Sequence, residues 1–268
     1  MRVTIKRWAR RTLIGATGIA SRRVHARDRV VTYHRIGESR DASCVSPGLF
    51  RSQMRFLADS CRVLRPSALA VAASPEADAT TRVRITIDDG HASAIEVAAP
   101  ILAELALEAA FFIPTDGIGM PGQLGALDIR RLSDAGFLIG SHSCSHRSMV
   151  SLSPSERRRE AVESRHILED ITGRTVEMFA YPFGTVVDFG LSTEEALEQA
   201  GYRWAFTSQH GALSAATHPL RIPRLKIENG DSLEAFKRIV AGAADAWRWV
   251  DRYLWWLQRG AHRRPLAS

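Results

Sequence analysis

Three short segments carry side chains able to do chemistry. Ile87-Asp88-Asp89-Gly90-His91 sets two adjacent carboxylates at the end of an apolar run. Successive side chains of a strand point to opposite sides, so two neighbouring acids there take different roles instead of crowding one position. The same Asp-Asp-Gly is also what a solvated turn looks like. Gly140-Ser141-His142-Ser143-Cys144-Ser145-His146 places two imidazoles four residues apart. Such a pair converges on one metal ion when a third ligand arrives from elsewhere in the fold. Two histidines and one carboxylate leave coordination positions open, as in a catalytic zinc or a non-haem iron centre. Cys144, between the histidines, reads as structural, because its side chain does not face theirs. Finally, Ala180-Tyr181-Pro182-Phe183-Gly184 is a rigid turn. It either simply ends a strand or aims a backbone N–H at a developing oxyanion.

What must position these segments is an alternation of short apolar runs with helical stretches. Candidate strands are 30–34, 83–87, 110–114, 137–141, 176–181, 202–207 and 222–227. Strand–helix repeats of this kind predict an α/β fold with a parallel sheet, and seven strands suit a barrel. In such barrels the C-terminal strand ends face the active site, which brings the carboxylate and histidine segments to one mouth. Ser153-Pro154-Ser155-Glu156 and Gly173 bracket a helix over 154–172. Ser192-Thr193-Glu194-Glu195 opens a second helix, closed by Gly201, and Asp231 with Glu234 opens a third. Pro100 places the start of another near Ala98 or Pro100. Residues 66–82 read as a surface connection.

Of the 268 residues, 45% are apolar and the net charge is +7. Residues 1–29 carry +8 and residues 247–268 carry +4, so the stretch between them sums to −5. That distribution, without a basic stripe, argues against a nucleic-acid partner. Three scattered cysteines exclude a disulfide framework. No apolar run reaches the ~20 residues of a membrane span, and the signal-like basic N-terminus is followed by an apolar patch, Thr12 to Ala20, that is short and glycine-interrupted, so it reads as a basic surface segment. The expected location is cytoplasmic or peripheral on the inner membrane. A wheel over 247–258 puts Trp249, Val250, Tyr253, Leu254, Trp256 and Leu257 on one half and Arg248, Asp251, Arg252 and Arg259 on the other. This amphipathic C-terminal helix either packs its apolar half on the barrel or, with the basic N-terminus, lies on an anionic membrane.

Together the three segments resemble the motifs of the polysaccharide deacetylase (NodB-homology, chitin-deacetylase-like) family, over roughly residues 30–235. Thr86-Ile87-Asp88-Asp89-Gly90 resembles its Thr-Phe-Asp-Asp-Gly motif. Ser141-His142-Ser143-Cys144-Ser145-His146 resembles its Ser-His-Thr-x-x-His motif, and Ala180-Tyr181-Pro182-Phe183-Gly184 its third. Val31-Thr32-Tyr33-His34-Arg35-Ile36 resembles the early Tyr-His segment of the poly-N-acetylglucosamine branch. The resemblance implies a distorted (β/α) barrel of about seven strand–helix units over a deacetylase domain 30–235, flanked by a basic segment 1–29 and a Trp/Arg-rich helix and tail 236–268. It implies a divalent metal on Asp89, His142 and His146, usually zinc, with cobalt or nickel also suited to those ligands. Asp88 would be the general base toward the attacking water, and His34, as an imidazolium, the acid that protonates the departing amine. Tyr181, through its backbone N–H, would hold the oxyanion, with Pro182 and Gly184 shaping the turn. The implied substrate is an N-acetylated glycan, polymeric or lipid-linked, and the product acetate.

The chain departs from the family pattern at two places. The third motif commonly begins with Arg, where this chain has Ala180, and Arg224 is the expected substitute. His91 replaces an aromatic residue beside the substrate groove. His210 and His218 are rivals to His34 as the acid. Two other functions use the same residues: a non-haem iron oxygenase, and a carbohydrate-binding, membrane-peripheral relative without catalysis.

Overall fold

Each helical crossover returns the chain to the same end of the sheet before the next strand begins, so neighbouring strands must run parallel. The computed structural model describes residues 28–69 and 80–254. Its strands are β1 (Asp28–Tyr33), β2 (Arg35–Ile36), β3 (Cys44–Val45), β4 (Arg62–Val63), β5 (Arg82–Ile87), β6 (Ala109–Ile113), β7 (Leu138–Ser141), β8 (Met178–Ala180), β9 (Trp204–Phe206) and β10 (Leu225–Lys226). The seven expected strands form one wall in the order β10, β1, β5, β6, β7, β8, β9, with every pairing parallel. This is the barrel that the strand–helix alternation predicts, in the distorted form that the resemblance implies. The other three strands are two residues long, too short to leave a pattern. β4 takes the beginning of the β5 edge whose end pairs with β6, and β2 pairs with β3.

The last wall segment is interrupted at Pro223, which has no N–H to give a ladder. Before it, Ile222 bridges Phe206 of β9; after it, β10 pairs with β1. Thr207 donates to the Ile222 carbonyl, and Ile227 donates to that of Thr32. One segment thus bonds β9 with its first half and β1 with its second, joining the two ends of the sheet.

Seven α-helices lie among the described residues: α1 (Pro47–Ser60), α2 (Ala99–Glu104), α3 (Ala126–Asp134), α4 (Pro154–Thr172), α5 (Leu191–Gln199), α6 (Leu233–Val240) and α7 (Trp247–Tyr253). α4 has the expected bounds: the Ser153 side chain accepts from Glu156 N–H, Glu156 reaches back to Ser153 N–H, and Gly173 ends it at φ 66°. Three starts differ from expectation. A π-helical turn, Ala94–Ala98, runs into α2, so helical backbone begins before Pro100. α5 begins at Leu191 because Thr193 Oγ1 accepts the Gly190 N–H, which puts Ser192 inside the first turn. At α6 the cap is Ser232, whose Oγ accepts from Ala235 N–H; Asp231 instead accepts from Glu228 N–H. α7 seats Trp247 and Asp251 against the fold and leaves Trp249, Tyr253 and Leu254 exposed. Of the two placements open to the apolar half of the wheel, packing on the barrel is therefore not the one seen for Trp249, Tyr253 and Leu254. The basic segment 1–27, most of the 66–82 connection and the helix end at 255–258 lie outside the described residues.

Alternation sorts the side chains of the wall. Val31, Tyr33, Val83, Ile85 and Ile87 join the large core under the helices. Val30, Ala110, Phe112, Met178, Ala180, Phe206 and Ile222 form a second, smaller cluster inside the barrel. Phe112 is accommodated there only because residue 140 is glycine: a Cβ on Gly140 would stand 2.4 Å from Phe112 Cε1 and 3.1 Å from the Met178 carbonyl. Gly140→Ala should therefore cost about 1–3 kcal/mol by overpacking. Thermal unfolding should show it as a melting temperature lowered by several degrees, and an unchanged temperature would contradict this reading of the interior.

Candidate metal centre

The three segments meet at one mouth, because each follows the C-terminal end of a neighbouring parallel strand. Asp88 and Asp89 follow β5, the histidine loop follows β7, and the Tyr-Pro-Phe-Gly turn follows β8. Four of the five non-glycine residues with positive φ among the described residues fall in these turns: Asp89 (73°), Ser143 (65°), His146 (54°) and Phe183 (63°). Such backbone is unfavourable for residues with a Cβ and persists where the surroundings enforce it, typically at functional sites.

Asp89, His142 and His146 form the metal-ligating cluster found among the described residues, with one ligand atom of each within 4.8 Å of the others. Asp89 Oδ1 lies 3.4 Å from His142 Nε2 and 3.3 Å from His146 Nε2. These distances are long for a charged hydrogen bond. They match the edges of a tetrahedron with metal–ligand bonds of about 2.0–2.1 Å, whose corners are roughly 3.3–3.4 Å apart. His142 Nδ1 contacts the Ala180 carbonyl at 2.7 Å. A proton placed there leaves Nε2 with its lone pair facing Asp89, the tautomer a ligand needs. The residues present therefore fit a divalent cation. Phe183 packs its ring 5.2 Å from that of His146. Cys144 points elsewhere: its Sγ faces the Glu160 carbonyl, and burial pushes its thiol up to about 11.

Asp88, 2% exposed, turns into the barrel. Arg224, fully buried, clamps it through Nη1 and Nη2, each 2.8 Å from one carboxylate oxygen. Arg224 Nε donates to the Thr207 carbonyl and Nη1 also reaches Thr86 Oγ1. Its guanidinium lies 5.7 Å from the Phe112 ring and 5.9 Å from that of Phe206. Burial by itself would raise the Asp88 carboxyl; Arg224, with His142 and His34, outweighs it and holds the group below its ordinary range. Asp89 is likewise ionised: burial opposes this, and His34, His142 and His146 overcome it.

His34 stands at the end of β1 within electrostatic reach of both aspartates, with its Nδ1 buried and unpartnered. Burial first, then the Lys226 cation, bring it down to about 4 against the pull of the aspartates. It is thus a neutral imidazole at rest, not the imidazolium the resemblance implies. His210 is bound to Asp251 of α7, and His218 Nδ1 accepts from Leu220 N–H. His91 is half-buried beside Gly122, held neutral by burial.

Tyr181 does not offer its N–H to an oxyanion: that group donates to the Phe206 carbonyl at 3.0 Å, inside the β8–β9 ladder. Its hydroxyl donates to Leu220 and its ring stacks on Phe189, so the residue belongs to the wall. Pro182 continues into a turn where Gly184, at φ 60°, meets the next loop; a Cβ there would lie 2.6 Å from Ser208 N.

Two supports carry no motif. Glu160 of α4 accepts from Cys144 N–H, Ser145 N–H and Ser145 Oγ at 2.7, 2.9 and 2.6 Å, fixing the loop between the two histidines. Asp188 accepts from Ser148 Oγ and from Thr185, tying that loop to the β8 turn. The signal for Glu160 was its place in the stripe Arg157, Glu160, Ala161, Ser164, Leu168 that α4 buries, where a solvated acid does not belong.

A family model described as polysaccharide deacetylase matches residues 76–205. YxkH of Bacillus subtilis, which carries the same family name, is 24% identical over 209 residues, 77% of this chain and 74% of its own. Among solved structures, the Streptococcus pyogenes deacetylase PplD in complex with acetate superposes with a TM-score of 0.71 at 22% identity, covering 80% of this chain and 98% of its own. IcaB from Ammonifex degensii gives 0.68 at 23%, covering 81% and 97%. These likenesses establish the shared fold.

If Glu160 fixes the histidine loop, Glu160→Ala should weaken metal binding by about 10–100-fold. Titration of metal-free protein with zinc, read by calorimetry, checks this; an unchanged affinity would make the three hydrogen bonds incidental.

Proposed function

The chain belongs to the polysaccharide deacetylase family, and from that premise we propose that it is a metal-dependent N-deacetylase that hydrolyses the acetamide of an N-acetylated glycan. The observation that carries the reading is the pairing of a metal-ligand trio with a second, arginine-clamped carboxylate one residue away. Asp89, His142 and His146 would hold the cation, with zinc expected first. When bound, it supplies Lewis acidity that acidifies water and polarises a carbonyl.

The protein's own groups account for the proton traffic. Asp88, ionised through Arg224, accepts a proton from the attacking water at a carboxylate oxygen. The hydroxide so formed adds to the acetamide carbon, and the C–N bond breaks as the nitrogen gains a proton. His34 is the donor this reading assigns. Neutral at rest, it receives the proton that Asp88 removed from the water, passes it to the departing amine, and is neutral again. Acetate and a free amine remain. An oxygenase using the same trio has no task for the Arg224–Asp88 pair, and a non-catalytic relative has none for either.

The rim of the mouth favours a lipid-linked glycan. Met120 and Leu127 after β6, Val150 after β7 and Leu191 after β8 are all exposed and all aliphatic. Their connections are stitched side by side: Thr115 N–H and Asp116 N–H donate to Ser143 and Cys144 carbonyls, and Ser148 Oγ donates to Asp188. Exposed apolar side chains on these neighbouring loops suit contact with a hydrocarbon-bearing substrate.

In Asp88→Asn, metal content should stay at the wild-type level while acetate release falls about 10²–10⁴-fold. Turnover near wild type would remove Asp88 as the base. A chelator should abolish acetate release and added zinc should restore it. With the intact enzyme, a lipid-linked acetamido sugar should be deacetylated faster than soluble N-acetylglucosamine oligomers; the reverse order would assign a polymer.

A further inference from the structure

α7 sits on the barrel the wrong way round for a helix whose purpose is to cover it. Its buried residues are Trp247 and Asp251, one turn apart. Asp251 Oδ2 accepts from the His210 backbone N–H at 2.7 Å and contacts His210 Nδ1 at 3.0 Å, and the Trp247 ring packs edge-on against the same imidazole. Just upstream, Asp245 pairs with the buried Arg29 of β1. The helix is thus anchored through polar contacts, and its aromatic half faces away from the protein.

That outer face has a definite composition. Trp249 is 53% exposed, Tyr253 58% and Leu254 40%. The Trp249 and Tyr253 rings stack at 5.6 Å, 11° from parallel. Arg248 lies over Trp249 at 5.4 Å and Arg252 over Tyr253 at 5.6 Å. The only acid from residue 247 to the C-terminus is Asp251, which is buried, whereas five arginines occur there, with Trp255, Trp256 and Leu257 directly after the described helix.

We propose that this face docks on an anionic lipid surface, with Trp249, Tyr253 and Leu254 entering the headgroup–acyl boundary and Arg248 and Arg252 meeting lipid phosphates. Tryptophan and tyrosine prefer that boundary because their rings are apolar and their polar tips stay wet. Arginines beside them gain from an anionic leaflet. Charge complementarity selects this occupant over the alternatives. A second copy of the chain would set Arg248 and Arg252 against their own equivalents across a two-fold axis. Only an anionic partner neutralises the face, and only one with an apolar interior takes up its rings. The inference is independent of the reaction proposed above.

The test is sedimentation of the full-length protein with vesicles of phosphatidylcholine, with and without phosphatidylglycerol, at low and high salt. The paired variants are Trp249→Ser/Tyr253→Ser and Arg248→Glu/Arg252→Glu. Both leave Trp247 and Asp251 in place, and unchanged circular dichroism and melting temperature report that the fold is intact. Wild type should bind the phosphatidylglycerol vesicles, bind phosphatidylcholine weakly and release in high salt. The aromatic pair should lower the partition coefficient roughly tenfold or more, and the charge reversal should abolish the preference for phosphatidylglycerol. Three results would overturn the proposal: no binding by wild type, equal binding by wild type and both variants, or a concentration-dependent dimer that the variants dissolve.

Discussion

The ion pair between Arg224 and Asp88 is the contact on which the rest of the mouth depends. Both partners are taken almost entirely out of water, and desolvating two charges costs more than their attraction returns unless the remaining donors and acceptors are also satisfied. Here they are. The guanidinium gives both Nη groups to the carboxylate, Nε to the Thr207 carbonyl, and lies against the adjacent Phe112 and Phe206 rings. An isolated carboxyl at that depth would take up a proton and could not serve as a base. The arginine comes from beside β10 and the aspartate from the end of β5, strands that do not touch each other because β1 runs between them. The barrel therefore has to close before the base exists.

The same logic of enforced geometry extends to the ligand loop. His142 is oriented by the Ala180 carbonyl, and His146 follows a residue-by-residue reversal in which Ser143 and His146 both adopt positive φ. Glu160 holds the middle of that reversal and Asp188 its far end. A metal site requires donors placed within a few tenths of an ångström, and these carboxylates, which touch no ligand atom themselves, are how the fold meets the requirement.

Much of this was legible in the residues. The seven strands and the bounds of α4 follow from periodicity and caps, whereas the trio Asp89, His142 and His146, and Arg224 as the counterpart of Asp88, follow from the resemblance to the family's motifs. What escaped was set by tertiary contacts with no local signature. The Tyr181 N–H is spent on a neighbouring strand, a fact that depends on the β8–β9 register. The resting charge of His34 depends first on its burial in the closed barrel and then on Lys226, almost two hundred residues away in sequence. The orientation of α7 departs from the wheel, because the buried His210–Asp251 pair turns Asp251 inward and leaves Trp249 and Tyr253 exposed.

The central claim is that Arg224 keeps Asp88 ionised so that it can act as the base. It is tested most directly by the acid limb of the pH–activity profile in Arg224→Met, with metal content measured alongside. Asp88 is active as the carboxylate, and its folded pKa is depressed, so activity is lost as pH falls through that value. Removing the guanidinium raises it, and the acid limb should move upward by about 1–3 pH units with the metal still bound. An acid limb unchanged from wild type, in a folded and metal-loaded variant, would contradict the account.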